Sequence, residues 1–401
     1  MECNRQIIKS HPLIIRKRRK FIFAFDGGKN MNLYWVGARQ SDVKHNKLFA
    51  GSISRYGDDN DNNFSFCNNT FTHSYDDFVQ EKASEILTKD EDAWFMFANE
   101  RSAYQYGKSI FEKSICLNPL HIIESMNDKI FTRNIFSDCV NTPNSVLINS
   151  SSCLNYSFIK DIFNNKYSEF VLQEANGAGG LKNYFLSKDN FPKIVTNSAY
   201  MLVTPYFHDA ITVNVHIIVD KRTYKILPPS LQITVKKFKY SGSDFVAFSN
   251  MPSQIKSNVL SCAKEIAKKV MSLEAKGIFG IDLLILDNKI LFLECNYRYQ
   301  GSSFVLNNAL IEAGYPSIFE LRYNSFYKDI SDIPDNIYDL PVAYSSFRRT
   351  KENKNIQLPP PSEIIATNKS SFASSDQYQQ YELYTSSIIE RIEKQEAQNL
   401  C

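Results

Sequence analysis

Apolar positions along this chain follow two periods, and the places where one gives way to the other divide it into elements. Phe21 to Phe25 is a solid apolar run ending in Asp26, Gly27 and Gly28, which predicts a buried strand and a turn. Gly57 to Thr72 is dense in Asp and Asn and predicts an exposed loop. Phe78 to Leu87 has helical spacing, and Trp94 to Ala98 reads as a second buried strand. Alternating strand and helix predict a small α/β unit. Asn99 and Glu100 at its end suit a loop cap, with a ligand contact as the alternative.

Beyond Leu117 the text changes. Met126 to Lys129 opens a helix with Asn127 or Asp128 as its cap, and Thr142-Pro143 stops it. Phe170 to Glu174 is a strand leading into a glycine-rich loop with Gly177, Gly179 and Gly180, and Asn183 to Leu186 is its return. Such a loop lets backbone N–H groups close over a phosphate. Tyr200 to Phe207 predicts another strand. Ile211 to Val219 alternates, with Thr212, Asn214 and His216 on the polar face. There His216 fits either a proton carrier or a hydrogen-bonded strand residue. Gln254 to Leu273 is an amphipathic helix, Phe304 to Ala313 a helix ended by Gly314 and Pro316, and Tyr344 to Arg349 the last strand expected. Pro359 to Pro361 and Ser370 to Ser375 predict a linker, and Tyr378 to Gln398 a polar terminal helix.

Between these helices lies the stretch with the most chemistry, Gly277 to Ser303. Ile281 to Leu286 and Ile290 to Leu293 flank Asp287-Asn288-Lys289, the pattern of a hairpin. With a three-residue loop, Asp282 lies across from Glu294, and Asn296 follows on the same face. A two-residue loop would shift the register by one and put the two carboxylates on opposite faces. Like charges facing each other are destabilising unless a cation lies between them, and two carboxylates with an amide oxygen suit Mg²⁺. Solvated strand-end caps are the plainer alternative. Arg298, on the same parity, can answer negative charge on whatever the metal holds.

Composition narrows the classes. The chain has 46 Lys and Arg against 43 Asp and Glu, which gives no reason to expect nucleic acid as a partner. The eight cysteines show no Cys-x-x-Cys spacing, so neither a zinc site nor a disulfide framework is expected, and a reducing cytoplasm fits. Arg16 to Lys20 follows an apolar Leu13 to Ile15, the reverse of a signal peptide's charge order, and no membrane span is expected.

Gly277-x-x-Gly280-x-Asp282, the hairpin, Glu294-x-Asn296-x-Arg298 and Gly301-Ser302-Ser303 together resemble the metal-binding hairpin of the ATP-grasp superfamily. Asp128-Lys129 at a helix start is similar to the opening of that family's nucleotide-binding region. The resemblance runs from Leu117 to Tyr323. It implies an α/β protein of the α+β ATP-grasp kind: an N-terminal α/β domain over 1–116, a small subdomain over 117–203, a large subdomain over 204–330, and a C-terminal extension with a helical tail over 331–401.

The resemblance also implies ATP with Mg²⁺, or Mn²⁺ in its place, held by Asp282, Glu294 and Asn296. Lys129, Gln173, Gly177, Gly179 and Gly180 would face the phosphates, and Thr204, Pro205, Tyr206 and Phe207 the adenine. Gln232 would lie near ATP and Lys237 near an anionic substrate, with a solvent-facing basic loop as the alternative. Arg298 would stabilise the attack. Where the family commonly has a lysine, this chain has Gln173, which donates a hydrogen bond but brings no charge. The implied reaction activates a carboxylate as an acyl phosphate and joins it to an amine, releasing ADP and phosphate. A carboxylase and a regulatory or impaired ATP-binding module are the alternatives. The expected partners are small-molecule or peptide acids and amines, with the oligomeric state open and a homodimer among the options.

Overall fold

A computed structural model describes residues 31–43, 46–68, 74–150, 155–177, 183–192, 194, 198–235, 239–350, 364–370, 379–384, 387 and 389. The expected strand at Phe21 to Phe25, the basic run Arg16 to Lys20, and Gly179, Gly180 and Lys237 lie outside them, as does most of the expected linker.

The N-terminal sheet is parallel and five-stranded. Its strands β1 (Asn32–Arg39), β2 (Phe49–Tyr56), β3 (Asn63–Ser65), β4 (Ala93–Phe97) and β5 (Ser114–Ile115) run in the order β3-β2-β1-β4-β5. Strand β1 is buried on both faces through its centre, as a covered parallel strand must be. The helix Tyr75–Lys89 starts at Ser74, whose side chain accepts from Asp77 N, and it buries Phe78, Val79, Ala83 and Ile86. One expectation changes here. Gly57 to Thr72 is not loop throughout, because Asn63–Ser65 pairs with β2, and Ser52 Oγ donates to Asn63 Oδ1 at 2.7 Å.

Asn99 does cap a short helix, accepting from Arg101 N. Glu100 is buried at 2% exposure in an ion pair of 3.1 Å with Arg322, itself 1% exposed. Arg322 also donates to the Phe97 and Cys116 carbonyls, so the helix Ile318–Tyr327 is tied to the end of β4. Both charges serve the joint between the N-terminal sheet and the rest of the chain.

A second sheet, small and antiparallel, consists of β6 (Val146–Asn149), β7 (Phe170–Glu174), β8 (Asn183–Leu186) and β9 (Tyr200–Pro205), in the order β6-β9-β7-β8. The large sheet is built from β10 (Ile211–Val219), β11 (Tyr224–Ile226), β12 (Ser230–Val235), β13 (Lys239–Asp244), β14 (Gly277–Leu286) and β15 (Lys289–Asn296). Three later strands extend it: β16 (Ser345–Thr350), β17 (Ile364–Ser370) and β18 (Gln379–Tyr384). Its order is β15-β14-β10-β12-β13-β16-β18-β17, with β11 on β10. The helix Ser253–Ser272 covers it, burying Ile255, Val259, Ala263, Ile266 and Val270 as their spacing requires.

The C-terminal region departs from expectation. The strand at Ser345–Thr350 is not the last, and Gln379–Tyr384 is a strand where helical spacing predicted a terminal helix. Pairing with β16 and β17 satisfies its backbone, and tertiary ladder bonds of this kind override a local pattern.

Candidate functional site

The hairpin β14–β15 solves its register in a way the sequence does not announce. Its turn has two residues, Asp287 and Asn288, both at positive φ (48° and 62°), with Leu286 facing Lys289 and Ile285 facing Ile290. Continued regularly, that register would set Asp282 opposite Leu293. A bulge between Asp282 and Leu283 passes over Leu293 instead, and Asp282 faces Glu294 after all. The expected three-residue loop is therefore corrected, while the pairing it was invoked to explain is present. The bulge is anchored from outside: Arg133 Nε donates to the Leu293 carbonyl at 2.9 Å, and Phe292 N donates to the Asn141 carbonyl at 2.8 Å.

Around this pair the oxygens converge. Asn296 Nδ2 lies 3.2 Å from both Asp282 Oδ2 and Glu294 Oε1, bridging the carboxylates. Asn296 Oδ1 accepts from Arg298 at 2.8 Å. Asp282 Oδ1 accepts from Asn214 and from Gln232, each at 2.7 Å. Asn214 also donates to Gln300 Oε1 at 2.8 Å. Gln300 lies so close over Gly280 that a Cβ there would overlap its amide, which accounts for the second glycine of Gly-x-x-Gly-x-Asp.

The charges are unequal. Burial and the facing Glu294 carboxylate push Asp282 well above the usual carboxylate range. Burial works against the Glu294 charge too, but the Lys129 ammonium, 3.0 Å from Glu294 Oε2, outweighs it and holds Glu294 below its usual range. Lys129 sits at the start of the helix Lys129–Phe136, which Asp128 caps by accepting from Phe131 N. Its Nζ also donates to the Gly177 carbonyl at 2.9 Å, tying the hairpin to the start of the glycine-rich loop. His216 is 1% exposed and shares a hydrogen bond of 2.9 Å with Ser303 Oγ. Burial lowers its pKa to about 3, so it is a neutral structural residue.

Gln173, Thr204, Tyr206, Phe207, Gln232, Asp282, Glu294, Asn296 and Arg298 all line one cleft of about 720 Å³ between the small and large sheets. Lys129 and Gly177 stand behind Glu294. Arg133, one helical turn beyond Lys129 and also on the cleft wall, was not among the candidates, and nor was Asn214. The signal for Arg133 was its i+4 spacing from Lys129, which puts both cations on one helix face. The two carboxylates, with the Asn296 amide beside them, supply hard oxygen donors of the kind that Mg²⁺ accepts. At the raised Asp282 carboxyl, beside a carboxylate with only an amide between them, a divalent ion would relieve the repulsion.

A cleft between an antiparallel small sheet and a larger sheet, floored by an acidic hairpin and walled by cations, is the arrangement of the ATP-grasp fold. Residues 126–302 match the family model for the ATP-grasp domain. Solved structures agree on the fold. Biotin carboxylase from Campylobacter jejuni superposes with a TM-score of 0.64 at 12% identity, over 89% of this chain and 88% of that one. L-amino acid ligase from Bacillus licheniformis gives 0.59 at 12%, over 91% and 95%. An Aspergillus carboxyaminoimidazole ribonucleotide synthase complexed with ATP gives 0.60 at 12%, over 90% and 96%. In sequence, 65 residues are 40% identical to formate-dependent phosphoribosylglycinamide formyltransferase of Wolinella succinogenes, a match spanning 16% of each protein. Among the described residues no helix is long and apolar enough to cross a membrane.

Proposed function

We propose that the protein is an ATP-dependent ligase that activates a carboxylate as an acyl phosphate and passes the acyl group to an amine, releasing ADP and phosphate. The observation that carries this reading is the placing of Asp282, Glu294 and Asn296 on one face of the hairpin, with Lys129 paired to Glu294 at their back. A Mg²⁺ ion held by these three would draw charge off the phosphoryl group being transferred. Mn²⁺ suits the same kind of oxygen donors.

The chain's own groups supply the rest. Lys129 orients Glu294 and offers a fixed positive charge near the phosphates. Thr204 to Phe207, at the end of β9, would receive the adenine, and Gln232, which donates to Asp282, keeps that carboxyl aligned. Arg298 is held over the cleft by Asn296 and neutralises the negative charge of the attacking carboxylate and of the acyl phosphate. No covalent nucleophile on the protein is required. The L-amino acid ligase among the structural neighbours fits an acid and an amine as substrates.

The test is ADP release by the full chain in the presence of Mg²⁺, ATP and pooled acids and amines, with mass spectrometry of the condensation product. Asp282→Asn and Glu294→Gln should lower turnover by roughly 10²-fold or more. A chain that holds ATP with Mg²⁺ yet releases no ADP with any acceptor would be a binding module, the reading that the neutral Gln173 favours.

A further inference from the structure

Arg133 is a buried cation that forms no ion pair with any carboxylate of the described residues. It is 6% exposed, and its guanidinium meets only neutral oxygens: Nε donates to the Leu293 carbonyl at 2.9 Å, Nη1 to Ser145 Oγ and Thr204 Oγ1 at 2.7 Å each, and Nη2 to Gln173 Oε1 at 3.0 Å. The carboxylate whose charge acts on it, Glu294, next to Leu293, is directly engaged by Lys129 instead. A buried charge of this kind is costly unless something negative completes it. These bonds occupy Nε, both hydrogens of Nη1 and one of Nη2, which leaves an Nη2 donor on the wall of the cleft.

Gln173 gives the second half of the argument. Its Nε2 donates to Asn183 Oδ1 at 3.3 Å, which fixes the amide with its oxygen toward Arg133. The residue on β7 therefore serves the guanidinium as an acceptor. A cation at that position would face Arg133 at hydrogen-bond distance with nothing between them.

We propose that Arg133 is a phosphate-binding cation of this cleft, aimed by Gln173 and Thr204, and that the neutral amide at 173 is there because the positive charge is carried by the helix. The ligand class is the phosphate group of a nucleoside di- or triphosphate, so the proposal rests on the nucleotide reading above. The same guanidinium bonds β9 of the small sheet and the bulge of β15 in the large one, so phosphate binding and the hinge between the sheets share one side chain. Burial pulls Arg133 down to about 10, consistent with a cation awaiting its counter-charge.

The test is calorimetric titration of the full chain with ADP and, separately, with adenosine. Arg133→Met should weaken ADP roughly tenfold or more while leaving adenosine within about twofold. Adding Gln173→Lys to Arg133→Met should restore most of the ADP affinity, whereas Gln173→Lys alone should lower the Tm and tighten nothing. Gln173→Glu, which neutralises the guanidinium without removing any of its bonds, should weaken ADP and spare adenosine at an undiminished Tm, and it serves if Arg133→Met does not fold. ADP binding unchanged in Arg133→Met or Gln173→Glu overturns the proposal, as does equal loss of ADP and adenosine, which marks a structural role. A wild-type chain that binds no ADP overturns the nucleotide reading as well.

Discussion

Lys129 and Glu294 form a largely buried ion pair, 3.0 Å between Nζ and Oε2, with side-chain exposures of 4% and 19%. It links the start of a helix to the second strand of the acidic hairpin, and through the Gly177 carbonyl to the loop above. Removing one partner leaves the other desolvated and unpaired. Lys129→Gln should therefore destabilise the fold by about 1–3 kcal/mol in thermal or urea unfolding. The double variant Lys129→Gln with Glu294→Gln should recover much of that stability while nucleotide binding stays weak. A double variant whose loss equals the sum of the losses of Lys129→Gln and Glu294→Gln would show that the pair is not coupled.

The turn of the hairpin makes a separate, local prediction. Asn288 sits at φ 62°, a conformation that Asn and Gly tolerate and β-branched residues resist. Asn288→Val should cost about 1–2 kcal/mol, and Asn288→Gly close to nothing, by unfolding midpoint. Equal Tm values for the two variants would contradict the two-residue turn.

His216 predicts an acid-side effect. Its folded pKa, about 3, lies below the unfolded value near 6.5. Between those values the unfolded chain binds the extra proton, so this group's contribution falls as pH drops from about 6.5 toward 3, by up to about 1.4 kcal/mol per pH unit. His216→Gln, which keeps a hydrogen-bonding group near Ser303, should flatten the stability profile across that window. Parallel profiles for variant and wild type would show that His216 titrates normally.

Much of this was legible because the signals are local. Asp282 inside an apolar run, and the alternating Glu294, Asn296 and Arg298, mark one polar face of the hairpin, and the structure brings these side chains together there. The long helix at Ser253–Ser272 is equally plain from its spacing. What was not legible depends on distant contacts. The bulge at Leu293 needs Arg133 and Asn141 to hold it, and no residue within the hairpin announces it. Gln173 looks like a lost charge until Arg133 is seen beside it, 40 positions away in sequence. Gln379–Tyr384 became a strand through the edge it joins.

The most direct measurement is the affinity of the full chain for ATP with and without Mg²⁺, in wild type and in Glu294→Gln. The account predicts that Mg²⁺ tightens wild-type binding by roughly tenfold or more, and that the variant loses this gain while keeping metal-free binding. Equal affinity with and without the ion in wild type, or an undiminished Mg²⁺ effect in the variant, would contradict a metal site on the paired carboxylates.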